Sequence, residues 1–588
     1  MKKLRERLQR KSSQKQTAVP QDVHVPTTLP IFDSELEEDI KYILRQCATK
    51  TATISVRRQI KKEPPEHQLM TILGNEDLVR QRTTTDGDHV YHIASITKIL
   101  VATAVFIAVE KRPSEDTFED CFERFRHTQD EPLTRLVNEY GARRISALPG
   151  KPTIYDLLVH RKGIVSSNHR LLTPTGHPIM ALTNLGDEVI SRISSNTSED
   201  TVKPWAGYSN INYALVAMAI EAMWSGSFES FMEEALFLPL GMRNTTIGVP
   251  TDERTDNIGR VVDARGIPRD IRRPQYRSDG AEAAAFGIYS TAHDLDIFFK
   301  FIIDTFHWGE PIPGFRLTDL NKALIKSHIP EETLQFTPFG LYTNLSSSVI
   351  GAISTNRALF PEEDFSNYTV MPSQGEKDIS VYYMAGSAIG SSCATALRVH
   401  EEYSFAIAVL TDTSGPVDAA DHILRLILRR MAQWMGSETS SSKRKQPANV
   451  RDMVEKNKSQ ALRKWQDLEQ KHVQDLEKAP TNQKIIEGVY KGVDFNQRLE
   501  ISRENDGKTY VTVDGPLSLQ SPVQLEIYWI DDSNLKINIP LHLSVDWLDG
   551  ADWSQTIFRV EDREQVVQAL IRSTASGDDK YLRVPPHV

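Results

Sequence analysis

The chain has 588 residues, a formal net charge of −10 and 39% apolar side chains, an ordinary balance for a folded globular protein. That length exceeds what one hydrophobic core supports and predicts two or three domains. The acidic balance argues against nucleic-acid binding, although the first sixteen residues carry seven Lys or Arg. Residues 1–30 read as a disordered basic tail, with contact to a membrane surface as the alternative. There is no apolar stretch before Val23, so the tail does not read as a secretory signal, and no later segment is long enough for a transmembrane span. The expected location is cytoplasmic. Cys47, Cys121 and Cys393 form no metal-ligand spacing and leave an odd count for disulfides, which fits a reducing compartment. No metal motif and no Gly-rich phosphate loop occurs, so no metal and no cofactor is expected.

From Phe32 the periodicity predicts a helix near Glu35–Cys47 and then a strand over Thr51–Val56, rich in β-branched residues. The next informative stretch is His92-Ile93-Ala94-Ser95-Ile96-Thr97-Lys98. If Ser95 opens a helix, Lys98 shares its face and brings an amine beside the hydroxyl. A serine is a poor nucleophile at neutral pH, and an amine kept partly unprotonated by burial or by nearby positive charge can take its proton. A helix start also aims unpaired N–H groups at the site. Ser-x-x-Lys alone is a common pattern and carries little weight by itself. Ile99–Val109 is apolar apart from Thr103, as a buried core helix is.

Tyr208-Ser209-Asn210 precedes another apolar run, Ile211–Met223. A phenol beside a lysine ammonium ionises more easily, and can act as general base and then return the proton to the leaving group. Further on, Met384-Ala385-Gly386-Ser387 follows the strand-like Ile379–Tyr383 and precedes Ala388-Ile389-Gly390. An edge strand there would set the Ser387 N–H opposite the Ser95 N–H as a two-donor oxyanion hole. The bland alternatives are an amphipathic aromatic at Tyr208 and a strand bulge at Gly386. Gly436–Pro447 reads as a linker or loop, and Val450–Leu476 as an amphipathic helix with Met453, Val454, Ala461, Leu462, Trp465, Leu468 and Val473 on its stripe. From Ile485 short strands take over. Leu499 and Ile501, then Asn505-Asp506-Gly507, then Tyr510–Val513 predict a hairpin, and Leu535, Ile537 and Ile539 alternate as a half-buried strand does. The segment reads as a separate all-β unit of five or more strands. The expected division is therefore a tail over 1–30, a catalytic domain over 31–435, a linker and helix over 436–484, and an all-β domain over 485–588.

Taken in order, Ser-x-x-Lys, Tyr-x-Asn and x-x-Gly resemble the motifs of the serine β-lactamase-related family, in its class C-like branch of penicillin-binding-protein-type esterases and transesterases. Framework segments over roughly residues 35–435 carry the likeness further: Thr153–Ile164, Leu238-Pro239-Leu240-Gly241-Met242, Phe286–Leu295 and the strand Phe405–Asp412. The resemblance implies an α+β fold, a central antiparallel sheet flanked by helices with the site between the sheet and a helical subdomain. It implies Ser95 as nucleophile, Lys98 and Tyr208 as the base and acid pair with their order open, and Asn210 as a substrate or lysine contact. The carboxy-terminal part resembles the small all-β lipocalin-like barrel found behind this domain in fungal members.

One departure matters. The family's third motif usually begins with Lys or His, which helps hold a substrate carboxylate, and this chain has Met384 followed by Ala385 and Gly386. The substrate contacts Met384 and Gly386 therefore favour neutral donors over β-lactam or peptidoglycan substrates. The leading reading is an enzyme that transfers an acyl group from a small-molecule ester or thioester, with an acyl carrier protein among the candidate donors, to water or an alcohol, as in fungal secondary metabolism. The alternatives are a β-lactamase or D-amino acid peptidase, and a catalytically inactive scaffold.

Overall fold

The computed structural model describes residues 32–60, 63–74, 89–110, 157–160, 168–185, 208–224, 226–250, 258–308, 335–336, 342–344, 350–351, 353–359, 381–400, 403–434, 449–477, 484–493, 495–517, 524–539, 553, 556–574 and 577–585. The expected basic tail, the expected linker Gly436–Pro447 and most of Thr153–Ile164 lie outside them.

The first helix, α1 (Ser34–Gln46), starts where the local chemistry directs it. The Asp33 carboxylate caps it by accepting the Leu36 N–H at 2.8 Å, Glu35 and Glu37 sit in the first turn, and Arg45 in the last. Leu36, Ile40, Ile43 and Leu44 recur on one face and are buried. Strand β1 (Thr51–Ile60) runs four residues beyond the predicted end at Val56. It lies inside a seven-stranded sheet with β2 (Glu66–Leu73), β3 (Gln335–Phe336), β4 (Tyr342–Asn344), β5 (Val381–Ala388), β6 (Ser391–Arg398) and β7 (Tyr403–Thr411). The spatial order is β2-β1-β7-β6-β5-β4-β3, and every neighbouring pair is antiparallel.

Ser55 and Arg57 of β1 point to Asp296 on α5 (Ala292–Trp308), so alternation sends Ile54 and Val56 to the opposite face. There α1 and α6 (Ala419–Trp434) form a second helical layer. The side facing α5 also holds α2 (Thr97–Glu110), α3 (Asn210–Trp224) and the short α4 (Ala283–Phe286), which pack on one another. Leu100, Val101, Ala102, Ala104 and Val105 of α2 are buried on every side, as a helix without a polar face must be.

The long helix α7 (Val450–Glu477) follows the predicted span Val450–Leu476 and buries Met453, Val454, Ala461 and Trp465 from its stripe. Leu462, Leu468 and Val473 of the same stripe stay exposed. Beyond it, eight strands close into a barrel: β8 (Gly488–Gly492), β9 (Arg498–Arg503), β10 (Thr509–Asp514), β11 (Gln524–Asp531), β12 (Asn534–Ile537), β13 (Ile557–Arg563), β14 (Val566–Thr574) and β15 (Gly577–Arg583). Closure removes both edges of the sheet. The predicted hairpin is β9–β10, in register from Arg503↔Thr509 to Arg498↔Asp514, with Gly507 at φ +80° in its turn. Leu499, Ile501, Val511, Val513, Leu535, Ile537 and Phe558 fill the interior. Among the described residues, no helix is long and apolar enough to cross a membrane.

Candidate active site

Ser95 stands not in α2 itself but in a 3₁₀ turn, Ala94–Ile96, that leads directly into it. The turn is held in an unfavourable shape: Ala94 has φ +44°, a region that a side chain with Cβ rarely visits. Contacts from both flanks fix it there. The Ile93 N–H donates to Ile288 O at 3.1 Å, Ser391 Oγ donates to His92 O at 3.0 Å, and Cys393 Sγ donates to Ile93 O at 3.0 Å. The sequence shows the pattern around Ser95, but these braces come from residues almost 200 to 300 positions away.

Lys98 lies one turn on and is completely buried, while Ser95 keeps partial exposure. The Lys98 ammonium donates in three directions: to Ser95 Oγ at 3.1 Å, to Asn210 Oδ1 at 2.8 Å and to Ala285 O at 2.7 Å. One of these contacts aims the amino group at the serine hydroxyl. Tyr208 reaches the same hydroxyl from the other side, its OH lying 2.5 Å from Ser95 Oγ. The Lys98 Nζ also sits 4.8 Å from the Tyr208 ring centre and 5.4 Å from that of Tyr213, so its charge lies among aromatic rings rather than in water.

His160, part of the framework segment Thr153–Ile164 but with no role expected of it, supports Tyr208 from behind. Its ring lies 4.8 Å from the Tyr208 ring, and its Nδ1 accepts the Ser209 N–H at 3.2 Å, which leaves the proton on Nε2. Burial, with the Lys98 charge added, holds the imidazole well below its ordinary pKa, so it stays neutral. The Asn210 amide is oriented in turn by Asn168, whose Oδ1 accepts from Asn210 Nδ2 at 2.9 Å. Asn168, His160, Ala285 and Tyr213 carry no sequence signal of a role, because each acts only through what the fold sets beside it.

The third motif lies on β5. This strand lies inside the sheet: over Val381–Tyr383, just before the motif, it pairs with β4 on one side, and it pairs with β6 along nearly its whole length on the other. Among the described residues the β4 pairing covers Val381–Tyr383, and beyond it the strand passes beside the Ser95 turn. A Cβ on Gly386 would stand 2.6 Å from Ser95 N, 2.8 Å from Ala94 Cβ and 3.0 Å from Ile93 O, so only glycine permits the approach. Met384 shares the Gly386 face of the strand and is fully buried, whereas Ser387 is exposed. The structure thus brings Ser95, Lys98, Tyr208 and Asn210 into one hydrogen-bonded group and sets the Gly386 backbone against the Ser95 amide.

Comparison with known proteins bears on the same part of the chain. A model of the Beta-lactamase family matches residues 72–429. Gigasin-6 of Magallana gigas is 27% identical over 132 residues, which are 22% of this chain and 41% of that relative. The match thus spans about two fifths of that relative's length. Among solved structures, the octameric penicillin-binding protein homologue from Pyrococcus abyssi is 16% identical, with 93% of this chain and 99% of that chain covered at a TM-score of 0.46. The beta-lactamase from Sulfitobacter sp. EE-36 is 17% identical at a TM-score of 0.45, covering 68% and 99%. The D-amino acid amidase from Ochrobactrum anthropi SV3 complexed with L-phenylalanine amide is 18% identical at a TM-score of 0.43, with the same coverage. The fold is that of the β-lactamases and transpeptidases with a closed eight-stranded barrel behind it, and by the 72–429 match the chain belongs to the Beta-lactamase family.

Proposed function

We propose that this chain is a serine acyl-transfer enzyme, an esterase or transesterase of the class C-like branch, working through an acyl-Ser95 intermediate on neutral ester or thioester donors. The observation that carries this reading is the position of Ser95 Oγ, within hydrogen-bond distance of both the Lys98 amine and the Tyr208 phenol. Attack of Oγ on the donor carbonyl carbon forms the ester bond as the serine proton passes to the deprotonated member of the Lys98–Tyr208 pair, either the neutral amine beside the phenol or the phenolate beside the ammonium. The same pair returns it to the departing alcohol or thiol. Water or an alcohol then attacks the acyl-serine with the roles reversed, which restores Ser95 and releases acid or the new ester.

The negative charge that develops on the carbonyl oxygen needs donors at fixed positions, and the proposed pair is the Ser95 and Ser387 N–H groups. The preference for neutral donors rests on Met384. A buried thioether on the Ser95 face of β5 offers nothing to a carboxylate, where an ammonium would attract one. An acyl carrier protein or a free thioester fits the donor side equally well.

The test is intact-protein mass spectrometry of wild type and Ser95→Ala after mixing with short acyl esters, acyl thioesters and a carboxylate-bearing β-lactam. The expected outcome is an acyl adduct on wild type alone, formed faster from the neutral donors. Preferential acylation by the β-lactam would replace this reading with a β-lactamase or peptidase. A folded wild type that forms no adduct with any donor would identify a binding scaffold.

A further inference from the structure

Asn168 belongs to a short helical turn, Asn168–Leu171, and the chain from this turn to Ile179 touches both the core of the first domain, through Leu171 and Leu172, and that of the barrel, through Ile179. His169 Nε2 donates to Asp579 Oδ2 at 2.9 Å, and Arg170 Nη2 donates to Asp579 Oδ1 at 2.6 Å, with His169 and Asp579 both 1% exposed. Burial and the flanking Arg572 and Arg170 outweigh the attraction of Asp579 and lower the His169 pKa to about 3, so a neutral imidazole donates here. Gln497 of the barrel donates from Nε2 to His169 O at 2.6 Å and is itself held by the Tyr581 hydroxyl at 2.6 Å. Trp553 Nε1 donates to Leu172 O at 3.1 Å.

The same chain segment then runs deeper. Ile179 belongs to the apolar core of the barrel, and its carbonyl accepts the Leu517 N–H at 3.0 Å. A Cβ on Gly515 would meet Ile179 O at 2.5 Å, which marks how close the two backbones come. The barrel therefore grips residues 168–179 at both ends.

We infer that the barrel positions the Lys98 amine: Asp579, Gln497 and Trp553 fix residues 168–172 so that Asn168 holds the Asn210 amide with its oxygen toward Lys98. The chemistry of the amide makes this necessary. Asn210 has an acceptor at one end and two donors at the other, and a flip would turn the donors against an ammonium. The Asn168 oxygen accepts from the Nδ2 end and so selects the productive orientation. The linkage runs Asp579, His169 and Arg170, Asn168, Asn210, Lys98, and every step is a buried hydrogen bond or a peptide bond. Asp579 and Asn168 are thus positioning residues, and their role in turnover rests on Ser95 being the nucleophile as proposed above.

The experiment compares wild type, Asp579→Asn, Asn168→Ala, the double variant and Tyr581→Phe, with Leu535→Ala as a core truncation elsewhere in the barrel. Two readouts are taken: the rate of Ser95 labelling by a fluorophosphonate as a function of pH, and amide hydrogen exchange over Tyr208–Ala214. Asp579→Asn and Asn168→Ala are expected to slow labelling about tenfold or more and to move the midpoint of its pH profile. The double variant should be no slower than the slower single, because both changes break one linkage. Tyr581→Phe, a milder change should Asp579→Asn not fold, is expected to move both readouts in the same direction. Leu535→Ala is expected to lower the melting temperature and leave rate and profile unchanged.

Folded Asp579→Asn and Tyr581→Phe proteins that label and exchange like wild type would overturn the inference, as would additive effects of Asp579→Asn and Asn168→Ala. If wild type itself does not label, the proposed function fails, and exchange at Tyr208–Ala214 still decides the linkage. Faster exchange in Asp579→Asn than in Leu535→Ala supports it, and equal exchange refutes it.

Discussion

Gly386 shows how narrow the tolerance at the site is. Its Cα faces the Ser95 amide so closely that a methyl group would meet backbone atoms of the Ser95 turn, which have no freedom to move because Ala94 is already held at positive φ. Gly386→Ala must push β5 away from Ser95 and pull the proposed oxyanion donors apart. Loss of one such donor lowers turnover by about 10²–10³-fold. The expected result for Gly386→Ala is a drop of that size in acylation rate with substrate affinity little changed, read from single-turnover kinetics. A variant with wild-type rates would show that the strand does not shape the oxyanion site. Ser95 and Lys98 were legible because residues three apart share a helical face, and Tyr208 and Asn210 because their motif resembles the one the family carries. Asn168 and His160 were not, because an isolated asparagine or histidine has no periodic context that distinguishes a role.

Between elements, the contact that ties α5 to the sheet is ionic and buried. Arg57 of β1 donates through Nε to Asp296 Oδ1 at 2.9 Å and through Nη2 to Oδ2, and Ser55 adds a bond to the same carboxylate. Both partners are largely out of water, at 10% and 4% side-chain exposure. Asp296→Ala removes the acceptor and leaves a guanidinium buried without its counter-charge, which costs about 3–5 kcal/mol. Chemical denaturation should show that loss, and Asp296→Asn, which keeps an acceptor, should show less. A change under about 1 kcal/mol for Asp296→Ala would mean that water reaches Arg57 and satisfies it. Elements with a strong local signal were legible in advance: the capped α1, the α2 helix with its apolar run Ile99–Val109 broken only by Thr103, and the Asn-Asp-Gly hairpin. The surroundings of β5 were not, since pairing with a strand some forty residues upstream leaves no mark in its own residues.

Across the whole molecule, buried ionisable groups set the pH range in which the fold is most stable. Burial lowers the pKa of His92 and His169 to about 3 and of His422 to about 4, and holds His160 well below its ordinary 6.5. These histidines bind protons below pH 6.5 only when the chain unfolds, so stability falls as the pH drops through that range, by about 1.4 kcal/mol per pH unit for each proton. The acids act in the opposite sense. Burial raises Glu282 from 4.5 to about 8, and burial with the neighbouring Asp421 raises Asp418 from 3.8 to about 6. Each keeps a proton in the native state that the unfolded chain has released, so stability falls as the pH rises toward those values. Below pH 6 the four histidines outweigh the two acids, and above 6.5 Glu282 acts without them. Stability is therefore expected to peak at about pH 6–7. Urea midpoints across that range test this, and Glu282→Gln should flatten the alkaline side; a midpoint that climbs steadily to pH 8 would contradict it.

What the sequence determined by itself is whatever depends on neighbours along the chain. Caps and apolar periods set the helices, β-branched alternation and turn residues set the strands, and the spacing of Ser95 to Lys98 follows from the same rules. What only the tertiary structure decided depends on groups far apart in the chain meeting in one dry place. The strained Ala94 turn is braced by Ser391 and Cys393, the Lys98 ammonium by Ala285 and Asn210, and Asn168 by a barrel whose gripping carboxylate, Asp579, is 410 residues from His169. A hydrogen bond across that distance in sequence leaves no local pattern, because its strength comes from burial, and burial is a property of the folded chain as a whole.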